Sequence, residues 1–282
     1  MAAKFQYYSP AITIQHLIDP TPDSTSFKMH AHGQYELYYF VSGKGEYCVE
    51  GIQYRLEPGC ILLMHPGETH QLLISDEEPY ERIMIHFSEQ LIDMMTPQKE
   101  VFRILSERPT GVGSYYPADQ LNQTLIRQCF SELVRQFSCG LYREKYQLQM
   151  VLYSYCMPIF WDMQYYYLKE GKNIKIQTDD PINTIITYIN EHLAEEISLE
   201  QLSKKFFISK SNLNLKFKKA TGTTVWDYIL TKRLMSAHIK IMNGKSVRTV
   251  FLESGFRDYS SFYRRYVRKF GVSPAKSRSL LG

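Results

Sequence analysis

The sequence predicts an α+β chain of more than one domain. It has an N-terminal β-barrel, helices after it, and an all-α C-terminal region of two helix-turn-helix units. Three observations predict this. Residues 27–87 break into short apolar stretches separated by the turn clusters SGKG, EG, EPG, HPGE and SDEEP, the texture of a small barrel or sandwich. Past Pro117 the apolar period lengthens to that of helices. Charge divides along the chain: residues 1–180 hold 15 Lys/Arg against 22 Asp/Glu, and residues 181–282 hold 18 against 7. A basic C-terminal third points to a polyanionic partner.

Length and composition narrow the class. A chain of 282 residues suits two domains, and 44% hydrophobic content is enough for their cores. No apolar run reaches the roughly 18 residues of a membrane span, so no membrane partner is expected. The start, MAAKFQYYSP, lacks a charged-then-apolar leader. Cys48, Cys60, Cys129, Cys139 and Cys156 form no CxxC pair and are odd in number, as expected of reduced thiols in a cytoplasmic protein. No nucleophile–base constellation or phosphate loop is visible, which argues against an enzyme.

Residues 1–116 read as an arm and a barrel. The arm, residues 1–26, contains Pro10, Pro20 and Pro22, with a strand allowed at Ala11–Ile18. Strands are expected at Glu36–Val41, Gly45–Glu50, Gln53–Leu56, Cys60–Met64, Gln71–Ile74 and Arg82–Phe87. Residues of equal parity face one side of a strand. His30, His32, Glu36 and Tyr38 share parity, as do Arg82, Met84 and His86. The expected effector site is therefore His30, His32, Glu36, Tyr38, Arg82 and His86, with His70 added by the motif resemblance described below. With 22 Tyr and 15 Phe in the chain, the site suits a sugar, whose C–H faces lie on aromatic rings and whose hydroxyls bond Arg, His and Glu.

Residues 117–168 read as two helices. Leu121, Leu125, Cys129, Leu133 and Phe137 approximate one stripe, and Gly140 breaks it. A second helix is expected from about Arg143 to Met157, with Pro158 kinking or ending it. Both stripes are wide enough to cover the barrel and pair with a second copy of the chain, so a homodimer is expected. Residues 169–180, KEGKNIKIQTDD, are polar and read as the linker.

Residues 181–282 read as the two helical units. Ile182, Ile185, Ile186, Ile189 and Leu193 form one face. Ser198 and Gln201 form a capping box, Phe207-Ile208 makes a turn, and Ser209 caps a helix with Leu213 and Phe217 inside. Val225–Asn243 is a connecting helix of roughly 28 Å at ~1.5 Å per residue. That approaches the ~34 Å of one DNA turn. Val247, Val250 and Phe251 face inward on the next helix, Gly255 turns, and Asp258 caps the last one, with Phe262, Tyr266 and Phe270 inside. Gly271 and Pro274 end it. A short helix, a turn and a basic second helix is the arrangement that enters a DNA major groove. The outward residues Ser211, Asn212, Asn214, Leu215, Tyr259, Ser260 and Arg264 are the expected base contacts. Lys210, Lys216, Lys218, Arg265, Arg268 and Lys269 are the expected phosphate contacts.

The run Gly255, Phe256, Asp258, Ser260, Phe262, Arg264, Tyr266, Lys269, Gly271, Ser273, Pro274 resembles the signature of the AraC-type transcription regulators. Leu202-Ser203-Lys204-Lys205-Phe206 and the helix after it resemble that family's first helix-turn-helix. Two positions depart: Leu215 stands where many members carry Arg, and Phe251 where they carry a small residue. His30-x-His32-x3-Glu36-x6-Gly43, then Gly59, Pro66, Gly67 and His70, resemble the two cupin motifs, although Gly67 follows Pro66 directly. The resemblance implies a cupin-like sensor barrel joined to a double helix-turn-helix. Such sensors commonly bind an organic effector alone, so no cofactor is expected. Were a divalent metal present, the resemblance implies that His30, His32, Glu36 and His70 would hold it. Implied partners are double-stranded DNA, a small-molecule effector of the sugar class, a second copy of the chain and RNA polymerase. The competing reading is a metal-dependent cupin enzyme with a DNA-binding tail.

Overall fold

The computed structural model describes residues 2–9, 11–23, 27–74, 78–96, 101–139, 145–170 and 181–279. Nine strands lie among these residues: β1 Ala2–Tyr8, β2 Ile12–Asp19, β3 Tyr35–Ser42, β4 Gly45–Val49, β5 Ile52–Arg55, β6 Ile61–Met64, β7 His70–Ile74, β8 Tyr80–Phe87 and, after two helices, β9 Tyr115–Tyr116. They form a six-stranded sheet, ordered β1-β2-β8-β3-β6-β9, and a three-stranded sheet, ordered β5-β4-β7.

The period-2 rule explains both faces of the larger sheet. Leu37 and Tyr39 of β3, with Ile83, Ile85 and Phe87 of β8, point outward to a helical layer. Tyr38 and Phe40, with Leu62 and Met64 of β6, point inward and pack on Tyr47, Val49 and Leu72 of the smaller sheet. Strand β3 is thus covered on both sides and reads as one apolar run interrupted by Glu36.

The arm reading needs correction. Residues 2–8 are strand β1, paired antiparallel to β2, and β2 continues to β8 in register. Tyr7 packs on Phe137, which ties the N-terminus to the helical layer and not to the C-terminal region. Alternation in FQYY is too short to separate a strand from an extended tail by sequence.

Helices α1 Glu89–Met95 and α2 Arg103–Ser106 follow the barrel; neither was expected. Helix α3 runs Gln123–Ser138, capped by Asn122, and its Phe130 ring stacks on Tyr39 at 4.3 Å. Helix α4 runs Lys145–Glu170, straight through Pro158. A proline inside a helix loses a hydrogen bond and costs about 3 kcal/mol. Burial of Val151, Leu152, Cys156, Ile159, Phe160 and Met163 on both sides of it offsets that. The first residues of the expected linker, Lys169 and Glu170, are therefore helical, and 171–180 lie outside the described residues.

The C-terminal region is helical: α5 Pro181–Glu191, α6 Leu199–Lys205, α7 Lys210–Thr221, α8 Val225–Met242, α9 Val247–Leu252, α10 Tyr259–Phe270 and α11 Pro274–Ser279. Ser198, Ser209, Thr224, Ser246 and Asp258 cap α6 to α10, each accepting a backbone N–H of the first turn. One core joins α5, α6, α7 and the start of α8; a second joins the end of α8 to α9 and α10. Arg233 on α8 donates to the carbonyls of Leu193 and Glu195 at 2.8 and 2.6 Å. Leu234 and Ala237 turn toward the second core. Gly255 has φ 72°, and a Cβ there would sit 2.5 Å from the Leu193 carbonyl oxygen, so glycine is required on both counts. Pro274 does more than stop α10: it opens α11.

Candidate functional site

Two helices present chemistry suited to nucleic acid. On α7, Lys210, Ser211, Asn212, Leu215, Lys216 and Lys218 are exposed and Asn214 is partly so, because Leu213 and Phe217 take the core face. On α10, Tyr259, Ser260, Arg264, Arg265, Arg268 and Lys269 are exposed, because Phe262 and Tyr266 are buried. Neither helix contains an acidic residue. Leu215 is 71% exposed, an apolar side chain left in water within a basic face. Lys210 lies 3.4 Å from Glu200, which also pairs with Lys204. Arg264 and Arg268 enter no ion pair among the described residues. Phe207, 96% exposed at the turn before α7, and Tyr263, exposed on α10, were not among the expected contacts. Their signal was present: neither falls at an apolar position that the helical cores use.

A cavity of about 290 Å³ opens between the two sheets. Phe27, Lys28, Tyr38, Tyr47, Arg82 and Met84 line it, with Glu36, His30 and His86 beside them. Strand register explains the set, since Glu36 pairs with His86 and Tyr38 with Met84. The Arg82 guanidinium lies 5.4 Å over Phe27 and 5.0 Å over Tyr80. The Tyr38 hydroxyl is buried without a hydrogen-bond partner among the described residues.

All seven residues expected at the effector site come together. His30 and His32 precede β3, so strand parity does not place them. A two-way backbone bridge between His30 and His70 does, at 3.0 and 2.8 Å. Glu36 is the centre: Nε2 of His32, His70 and His86 lie 2.9, 3.3 and 3.2 Å from one of its oxygens. Burial works to raise the Glu36 carboxyl, yet the imidazoles hold it well below the usual carboxylate range. Burial, then the neighbouring His70, brings His30 down to about 4. Tyr47, Gln15, Phe27 and Leu72 joined the cavity without a sequence signal, because each comes from a strand or loop whose pairing sets its position.

A second buried cluster joins the barrel to the helical region. Glu50, in the β4–β5 turn, accepts from Lys232 Nζ at 2.9 Å, Tyr228 hydroxyl at 2.5 Å and Asn190 Nδ2 at 2.8 Å. It also accepts from the Thr69 hydroxyl at 3.0 Å and from the Thr69 backbone N–H. Lys232 donates again to the Gly67 carbonyl at 2.9 Å. Glu50 holds φ 50°. That backbone costs a non-glycine residue about 1 kcal/mol or more and persists only where the surroundings fix it. Burial, then the Glu50 charge, pushes the Tyr228 hydroxyl well above its usual value, so Tyr228 stays a donor. Sequence gave no sign of this cluster, whose members are spread from Glu50 to Lys232.

Comparison with known proteins adds the following. Residues 15–150 match the family model described as AraC-like ligand binding domain, and residues 202–279 match one described as helix-turn-helix domain. The chain is similar to the HTH-type transcriptional activator RhaS of Escherichia fergusonii, 25% identical over 280 residues, covering 96% of this chain and 94% of that one. It is 22% identical to RhaS of Klebsiella pneumoniae over 93% of this chain and 91% of that one. Among solved structures, ToxT of Vibrio cholerae is similar at 13% identity over 97% of this chain and 99% of that one, with a TM-score of 0.39. No helix among the described residues is long and apolar enough to cross a membrane.

Proposed function

This chain belongs to the AraC-type transcription regulators, DNA-binding proteins with a ligand-binding domain, and we propose that it is a homodimeric activator that reads two adjacent major grooves under control of a sugar-class effector. The observation that carries the reading is the placement of α7 and α10. They flank the 18-residue helix α8, each turning an uncovered basic and polar face to solvent. A spacer of ~27 Å suits two recognition helices in successive grooves on one side of B-form DNA. A-form RNA, with its narrow major groove, does not fit them. Activation draws support from the distant RhaS relatives, which are named transcriptional activators, and the sugar class from the aromatic, Arg-bearing cavity.

The dimer reading draws support from α4. Its outer face exposes Met150, Tyr153, Trp161, Tyr165 and Leu168 at helical spacing while its inner face packs on the barrel. A helix apolar on all sides has a second partner.

The effector reaches the DNA-binding half through one loop. His70 meets Glu36 in the cavity, Thr69 bonds Glu50, and Gly67 bonds Lys232 of α8. Residues 67–70 thus touch the cavity at one end and α8 at the other. An effector that binds the docked and released arrangements unequally shifts their balance. The test is a fluorescence titration of the full chain against a panel of neutral and acidic sugars, then DNA affinity with and without the binder. Binding that leaves both DNA affinity and transcription unchanged contradicts the coupling.

A further inference from the structure

Helices α7 and α10 are built to one template. Each has 12 residues and follows a side-chain cap, Ser209 for α7 and Asp258 for α10. Four and eight places beyond the cap stand buried residues, Leu213 and Phe217 in the first helix, Phe262 and Tyr266 in the second. Each helix closes on a left-handed glycine, Gly222 at φ 74° and Gly271 at φ 72°. Counting from the caps therefore matches the outward residues one with one: Ser211 with Ser260, Lys216 with Arg265, Lys219 with Arg268. Leu215 and Arg264 are matched in the same way, each six places after its cap.

That sixth place is the middle of the outward face. With ~3.6 residues per turn it lies about 180° around the helix from the mean direction of the two buried residues. Exposure agrees: Leu215 is 71% exposed, and Arg264 is exposed at the matching place. A single exposed leucine is ordinary on a protein surface. One at the centre of a groove-entering face decides what that face can read. The Arg264 fork matches the O6 and N7 acceptors of guanine. Leu215 has no donor or acceptor. Over guanine or cytosine it would cover polar base atoms without bonding them, which is costly. The apolar group that a base pair offers in the major groove is the C5-methyl of thymine. The rest of α7 agrees with this. It carries no arginine, where α10 carries Arg264, Arg265 and Arg268. Asn212, exposed and three places before Leu215 on the same side, fits the N6 and N7 edge of adenine.

We propose that the two DNA boxes read by one chain differ in chemistry: α7 takes an A·T pair by packing Leu215 on a thymine methyl, and α10 takes a G·C pair through Arg264 at the matching place. This rests on reading α7 and α10 as the two groove-entering helices. The boxes are then not repeats of one sequence. Exchanging them would set Leu215 over guanine and Arg264 over a methyl group, so the operator fixes the direction in which the chain lies on the duplex. A regulator that acts on one side of its site needs that polarity.

The test uses the full chain and a duplex it selects from a random pool. Each thymine of the duplex is replaced in turn by deoxyuridine, which removes the C5-methyl and nothing else. One replacement, in the box protected by α7, should weaken binding about three- to fivefold, the worth of one buried methyl group. The same replacement should leave Leu215→Ala unaffected, because that variant has already lost the contact. Leu215→Arg should turn the preference at that pair to guanine. In the other box, 7-deazaguanine, which lacks the N7 acceptor, should weaken the wild type and leave Arg264→Ala unaffected. Circular dichroism of each variant reports that the chain is folded. Two boxes with guanine at the matching place overturn the proposal, as does a selected duplex in which every deoxyuridine is neutral, or one that weakens folded Leu215→Ala as much as the wild type. Recovery of no boxes at all is a different failure: it removes the groove-reading itself, and this proposal with it.

Discussion

Glu50 and Lys232 meet at 2.9 Å inside the contact between barrel and DNA-binding region, both almost fully buried. Removing one partner strands the other charge, at a cost of about 3–5 kcal/mol. Lys232→Ala is therefore expected to undock the two regions. Differential scanning calorimetry should split one coupled unfolding transition into two, and DNA affinity should cease to depend on effector. A single unchanged transition in the variant would show that the contact does not join the regions.

Arg264 tests the recognition surface. Arg264→Ala should cost about 1–3 kcal/mol and relax preference at one base pair. Lys218→Ala should weaken all sequences alike and lower the salt slope by about one. Binding of specific and random duplexes across a salt series separates the two. Uniform weakening by Arg264→Ala would reassign it to phosphate.

Tyr165 tests the pairing face. Tyr165→Glu places a charge beside Trp161 and Leu168 on the exposed side of α4. Sedimentation should change from dimer to monomer with an unaltered melting temperature. A monomeric wild type would contradict the reading.

Glu68 and Arg108 give a pH dependence. They pair at 2.6 Å, both side chains buried. Burial works to raise the Glu68 carboxyl, but the Arg108 charge brings it from 4.5 down to about 2. A carboxyl depressed by folding stabilises the native state fully above its unfolded value and loses that contribution as pH falls through its folded one. Stability should fall from pH 4.5 toward 2, and Glu68→Gln should flatten that part of the profile while lowering stability at pH 7. An identical slope in the variant would remove Glu68 as the cause.

Local chemistry explains what could be read in advance. Ser198 with Gln201, Ser209, Asp258 and the glycines after α7 and α10 state helix ends in two or three residues, so the C-terminal units were legible almost to the residue. Parity placed Glu36, Tyr38, Arg82 and His86 on one face for the same reason. Strand β1 and the passage of α4 through Pro158 were not legible, because each is decided by a partner distant in sequence: β2 for the first, the barrel for the second. The Glu50 cluster is the extreme case. A glutamate before a glycine in a hairpin turn looks solvated until Tyr228 and Lys232 close over it.

The most direct test of DNA reading is selection of bound duplexes from a random pool at moderate salt, using the full chain. Paired boxes about one helical turn apart, one lost in an α7 variant and the other in Arg264→Ala, are the predicted result. Recovery of sequence-blind, salt-sensitive binding alone would contradict the account and leave the basic helices as an electrostatic anchor.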